Sequence, residues 1–177
     1  MKIILIGYMG SGKTYIGNLL SKIINYKFYD LDILISNIYN ISLNNIFKLY
    51  GEKKFRIIEN KVLKDFLFKK YNKSLILSVG GGTPCFFKNM YIMNKYSNTF
   101  YLKCKNNILY KRLLLDNKNR PILKNKIKKK KKLLNFIKKS IKKREKYYLK
   151  SKYKINTKKM IFVQIALHIK KILKINV

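Results

Sequence analysis

An α/β fold with a parallel sheet is predicted by three observations. Short apolar runs alternate with longer segments of helical spacing along the chain. The runs are continuous, as in Ile3-Ile4-Leu5-Ile6 and Leu75 to Val79, which is the pattern of strands buried on both faces. The first run passes through a glycine-rich octet straight into a helical pattern.

Taken in order, Ile3 to Ile6 predicts the first strand. Tyr15, Ile16, Leu19, Leu20 and Ile23 recur at three- and four-residue spacing and predict the first helix. Tyr26 to Tyr29 reads as a short strand ending at Asp30. Helical segments are expected over 32–38 and 42–49, with Gly51 interrupting, and then from about Lys54 to Lys70. Leu75 to Val79 is a strand stopped by Gly80-Gly81-Gly82. A helix is expected over 86–95, a strand over 99–104 and a helix over 106–115. The polar stretch 116–132 contains Arg120-Pro121 and ends in the lysine run Lys128 to Lys132. Its first part is expected to be a mobile loop, its end the start of a helix reaching about Lys150. A last strand over 153–156 and a helix over 158–173 close the chain. No repeat or linker divides it, so 1–177 is expected to be a single domain.

The octet Gly7-Tyr8-Met9-Gly10-Ser11-Gly12-Lys13-Thr14 matches the phosphate-loop pattern G-x-x-x-x-G-K-[ST] in full. A strand ending in such a loop and opening a helix aims several backbone N–H groups at one point, where the helix dipole adds partial positive charge. Lys13 can reach β- and γ-phosphates, and the Thr14 hydroxyl can hold Mg²⁺.

Composition sharpens the search for the remaining site. The chain of 177 residues carries 42 Lys and Arg against 7 Asp and Glu, a formal charge of +35. Taken alone, that charge suggests a polyanionic partner. The lysines run from Lys2 to Lys174, however, and Ala166 is the single alanine. Residues favoured by A/T-rich codons dominate, so compositional bias outweighs a specific nucleic-acid function. Scarce residue types are therefore the informative ones. Arginine occurs only at Arg56, Arg112, Arg120 and Arg144, and six of the eight glycines lie in the octet and the triple glycine (7, 10 and 12; 80 to 82). Where lysine is so freely used, arginine marks places that need a planar, bidentate cation. Cys85 and Cys104 lack metal-ligand spacing and read as reduced thiols. No apolar stretch reaches the ~20 residues that span a bilayer. A soluble, cytoplasmic chain is expected.

Asp30 and Asp32 sit at the carboxyl end of a predicted strand, the edge that faces the ligand crevice in open sheets. One can help hold Mg²⁺, and the other can orient or deprotonate a hydroxyl. The competing role is a cap on the next helix. Arg56 and Glu59 lie three apart on one helix face. They are either a surface ion pair or an arginine held to grip an anion. Three glycines exceed what a strand-to-helix turn requires and leave backbone N–H groups open to a small substrate. Arg120 sits in the polar stretch as a lid arginine would. Arg144 lies on a predicted helix with Tyr148 one turn later; the competing role is a solvated basic face.

Together these residues resemble the shikimate kinase family. The resemblance rests on the octet, then Phe28-Tyr29-Asp30-Leu31-Asp32, then Gly51-Glu52 with Phe55-Arg56 and Glu59. It continues through Gly80-Gly81-Gly82, Arg120-Pro121-Ile122-Leu123, and Arg144 followed by Tyr148. It implies a three-layer phosphate-loop fold like that of nucleoside monophosphate kinases, with a five-stranded parallel sheet and a lid at about 113–127. It implies transfer of the ATP γ-phosphate to the 3-hydroxyl of shikimate. By resemblance, Asp32, Lys13 and Arg120 are the catalytic residues. ATP falls to Gly10, Ser11, Gly12, Lys13, Thr14, Tyr15, Arg112 and Arg120. Shikimate falls to Asp32, Arg56, Gly80, Gly81, Gly82 and Arg144, and Mg²⁺ to Thr14 and Asp30. The expected partners are ATP and shikimate, with no specific nucleic acid and no membrane, in a monomer.

Overall fold

The structure, a computed structural model, describes residues 1–68, 74–115 and 130–175, the side chain of Lys130 excepted. Among the described residues, five parallel strands form one sheet: β1 (Lys2–Ile6), β2 (Lys27–Asp30), β3 (Leu75–Ser78), β4 (Asn98–Lys103) and β5 (Tyr153–Asn156), in the order β2-β3-β1-β4-β5. Seven helical spans among the described residues cross between or flank them: α1 (Lys13–Ile24), α2 (Leu31–Tyr39), α3 (Leu43–Phe68), α4 (Asn89–Tyr96), α5 (Asn106–Leu115), α6 (Lys130–Tyr148) and α7 (Phe162–Ile172). The expected three-layer, five-stranded fold is therefore present.

Strand β1 lies at the centre, which explains its unbroken apolar run. Ile3 and Leu5 pack toward α1 and α7 with Ile16, Leu20, Ile165 and Ile169. Ile4 and Ile6 point the other way, into a core shared with Leu31, Ile35, Leu63, Met93, Leu109 and Ile137. Alternate residues of one strand thus anchor both helical layers. The chain lays β2 and β3 on one side of β1 and β4 and β5 on the other. Asp30 pairs in register with Ser78, and Ser78 with Leu5. The ends of three strands therefore finish at one level, where ligands of open α/β sheets bind.

Several expected boundaries shift. The helix expected over 86–95 begins at Asn89. Thr83–Cys85 forms a short 3₁₀ turn, Phe86 is extended, and Phe87 is left-handed at φ 50°. The closing helix starts at Phe162 instead of 158, behind a second 3₁₀ turn at Thr157–Lys159. Gly51 does interrupt α3 as expected: its φ of 69° and ψ of 175° are non-helical, so the span is two helices meeting at a kink. The expected lid, 113–127, overlaps α5, since 113–115 is helical; 116–129, including Arg120, lies outside the described residues. No helix among the described residues is long and apolar enough to cross a membrane.

Candidate active site

The phosphate loop joins β1 to α1. Gly12 caps α1 at φ 92°, and a Cβ there would stand 2.7 Å from the Phe162 ring. Both the left-handed backbone and the aromatic neighbour restrict this position to glycine. The Lys13 ammonium is buried and donates across the loop to the carbonyls of Gly7 (3.0 Å) and Tyr8 (3.2 Å). The Thr14 hydroxyl donates to Asp30 Oδ2 at 3.0 Å. The other Asp30 oxygen accepts from the Asp32 N–H at 3.0 Å, capping α2. Asp30 therefore does both things its position allowed: it caps a helix and faces the loop.

These groups line a cavity of about 370 Å³. Gly10, Gly12, Lys13, Thr14, Tyr15 and Arg112 line it together with Asp30, Asp32, Ser78, Gly80 and Gly81. Two expected placements differ. Ser11 is not on the cavity wall; its N–H turns back to the Tyr8 carbonyl at 3.1 Å and its side chain is buried. Tyr15, whose spacing suggested a core contact, is 58% exposed and leans on Phe162, ring centres 4.8 Å apart. It projects beside the loop because the buried face of α1 is carried by Ile16, Leu20 and Ile24.

Asp32 sits in the cavity with its carboxyl pushed up to about 6, chiefly by burial and then by the charges of Asp30 and Glu59; Lys13 and Arg56 oppose the shift. A Cβ built on Gly80 would lie 3.2 Å from both Asp32 Oδ1 and Glu59 Oε1, so the glycine lets two carboxylates approach one backbone segment.

Arg56 is buried and paired with two glutamates through three of its five N–H groups. Glu59 Oε2 accepts from it at 2.8 Å, and Glu52 Oε1 accepts at 3.1 and 3.3 Å. Its guanidinium lies 4.4 Å from the Phe86 ring and 5.0 Å from Phe55. Glu59 is wholly buried, and its second oxygen accepts from the Thr83 hydroxyl at 2.6 Å. This is the held arginine, not the surface pair. Gly82 is packed against it: a Cβ there would meet Arg56 Nη2 at 2.4 Å. Arg144 comes in from α6, its Nη1 3.6 Å from where a Gly81 Cβ would stand and its guanidinium 5.6 Å from the Tyr8 ring. Arg112 donates to the Gly10 carbonyl at 3.1 Å and stacks on Phe162 at 4.6 Å.

Three of the four arginines thus converge on the carboxyl edge of the sheet, two of them around the triple glycine. Sequence reading missed Thr83, Phe86 and Phe162 as partners of this site. Phe and Tyr together number 24 in this chain, so an aromatic residue carries no signal by being present.

A family model described as shikimate kinase matches residues 9–174. The shikimate kinase of Parabacteroides distasonis is 38% identical over 160 residues, covering 90% of either chain. The chain belongs to the shikimate kinase family. The Azobacteroides pseudotrichonymphae shikimate kinase is 46% identical over 125 residues, covering 71% of this chain and 72% of the other. The fold agrees with the crystal structure of the Bacteroides thetaiotaomicron shikimate kinase at a TM-score of 0.90 and 30% identity, covering 99% of each chain. The Acinetobacter baumannii shikimate kinase, solved in complex with shikimate, matches at a TM-score of 0.84 and 28% identity over 98% of this chain and 93% of that one. Membership in the shikimate kinase family makes this an ATP-dependent kinase, with ATP as co-substrate.

Proposed function

We propose that this chain transfers the γ-phosphate of ATP to the 3-hydroxyl of shikimate, with Asp32 at the hydroxyl and the phosphate loop at the donor. The observation that carries the reading is the shared cavity: Lys13 and Thr14 of the phosphate loop line it together with Asp32 and Gly81. A donor phosphate and an acceptor hydroxyl placed there need travel no further than in-line contact.

The residue roles follow from charge and geometry. Loop N–H groups and Lys13 bind phosphate oxygens. Asp32, as a carboxylate, accepts the hydroxyl proton bond and aims the oxygen at phosphorus. Phosphoryl transfer through a loose transition state asks little prior deprotonation, so orientation is the larger part of its task. Arg56 and Arg144 grip the shikimate carboxylate, and the backbone of Gly80, Gly81 and Gly82 closes on the ring. Arg112, stacked on Phe162 beside the loop, is assigned to the adenine side. Arg120 keeps the lid role that its Arg-Pro context suggests.

The Thr14 hydroxyl and Asp30 carboxylate fit Mg²⁺. They are two hard oxygen donors 3.0 Å apart at the loop. The described residues hold no cluster of three His, Cys, Asp or Glu, which suits an ion that keeps most of its waters. When bound, Mg²⁺ would neutralise charge on the phosphates. Free thiols at Cys85 and Cys104 and ATP as donor support a cytoplasmic setting.

ADP release is measured with ATP and Mg²⁺, with shikimate, with gluconate and with neither. Turnover with shikimate alone is expected; turnover with gluconate but not shikimate would overturn the assignment. The triple glycine gives a second test. Gly82 is at φ −94° and ψ −24°, which alanine adopts freely, so Gly82→Ala acts only through its methyl on Arg56. The shikimate KM is expected to rise about 10-fold or more, from an ion-bound contact displaced, with the ATP KM little changed. Steady-state kinetics in both substrates check it.

A further inference from the structure

Arg56 and Arg144 are held in different ways. Arg56 is neutralised by two carboxylates. Among the described residues, Arg144 has no carboxylate partner within ion-pair distance. Its guanidinium lies over the Tyr8 ring, its Nη1 stands 3.6 Å from where a Gly81 Cβ would be, and Tyr148 follows one helical turn on. Tyr148 is fully buried at the end of α6, its ring 5.1 Å from that of Tyr101 on β4. Its hydroxyl donates to the Gly81 carbonyl, 67 residues away in sequence. Burial raises its pKa, so the group stays a neutral O–H donor. Gly81 is itself wedged against the phosphate loop: a Cβ there would stand 3.2 Å from the Met9 nitrogen and 3.4 Å from the Gly7 carbonyl.

We propose that Tyr148 is a positioning residue for the acceptor: one phenol donates to Gly81 and receives Arg144, fixing the glycine segment and the arginine in a single relation. This deepens the shikimate reading above and rests on it. A phenol can donate and accept at once, and it anchors the guanidinium without cancelling its charge. Glu59 and Glu52 offset the charge of Arg56, so of the two arginines Arg144 supplies the larger part of the net positive field for the shikimate carboxylate. Tyr148 therefore governs acceptor binding and alignment and leaves ATP binding alone.

Tyr148→Phe tests this. Phe keeps the ring, the Tyr101 contact and the core volume, and loses only the hydroxyl. The shikimate KM is expected to rise about 10-fold, as for a lost hydrogen bond to a charged group, with the ATP KM unchanged within about twofold. Arg144→Lys combined with Tyr148→Phe is expected to lose less than the product of the two single losses, because both break one unit. An unchanged shikimate KM, an equal rise in both KM values, or multiplicative losses would each overturn the assignment. Wild-type turnover is measured first: if it does not depend on shikimate, the functional reading fails and this one with it. If it does, a null result at Tyr148 counts against Tyr148 alone.

Discussion

Asp32→Asn is expected to lower kcat by about 10²- to 10⁴-fold, the range for a positioned acid–base group, while making the folded chain more stable at pH 7. The two effects have one cause. Burial, Asp30 and Glu59 push the Asp32 carboxyl up to about 6. The acid form is therefore favoured by folding. A raised carboxyl pKa contributes stability that is fully present below pH ~4, near the ordinary Asp value, and is lost as pH rises through about 6. At pH 7 the carboxylate is held in a site that resists it. One pKa unit corresponds to ~1.4 kcal/mol, and partial solvent access reduces the yield, so Asn relieves on the order of 2 kcal/mol. For a chain of this size that is about 5 °C in Tm. The gain is expected to shrink toward zero as the melt is repeated at pH 4 and then below it, where Asp32 becomes protonated in both states. In the wild type, kcat/KM for shikimate is expected to fall below about pH 6, because the acting form is the carboxylate. Thermal melts and rate profiles across pH 4–8 check both. A wild-type rate that stays level down to pH 5, or an Asn variant melting lower at pH 7, would count against Asp32 as the strained acceptor of the hydroxyl proton.

Arg56→Lys is expected to raise the KM for shikimate by about 10- to 100-fold, at 1.5–3 kcal/mol for hydrogen bonds to an ionised group, and to change the KM for ATP by less than about threefold. Lysine keeps the charge but lacks the planar fork that meets Glu52, Glu59 and a carboxylate at once. It also keeps a cation beside Glu59, which is wholly buried. Alanine would instead strand that carboxylate, at about 3–5 kcal/mol, and confuse loss of folding with loss of binding. Initial rates in a grid of both substrates separate the terms. Equal loss for ATP and shikimate would mean that Arg56 supports the fold and not the acceptor.

Much of this was legible in the sequence, for physical reasons that differ by region. The octet could be read because a phosphate loop needs fixed residues at fixed spacing, and β1 because a central strand must be apolar on both faces. Arg56, Arg112 and Arg144 stood out because lysine is the default cation of this chain, and the structure brings all three to the carboxyl edge of the sheet. The turn after β3 was less legible. Phe86 and Phe87 look like the opening of a helix, yet Pro84 sits in a 3₁₀ turn and Phe87 takes a left-handed φ of 50°. That turn is shaped by Glu59, which receives Thr83, and by Arg56, which receives the face of Phe86. Such partners lie 24 to 30 residues apart, and no local period records them. Phe162 was hidden in the same way, since its contact with Gly12 and Arg112 joins the two ends of the chain. Ser11 matched the loop pattern by position, but a pattern cannot say which of its N–H groups is used within the turn.

The most direct test follows both halves of the reaction in one tube. ³¹P resonance spectra are recorded as the protein acts on ATP, Mg²⁺ and shikimate. One phosphate monoester on the 3-oxygen of shikimate is expected to appear for each ADP, with ATP left intact when shikimate is omitted. ADP accompanied by free phosphate at the same rate with or without shikimate would contradict the acceptor site built from Asp32, Arg56, Gly81 and Arg144.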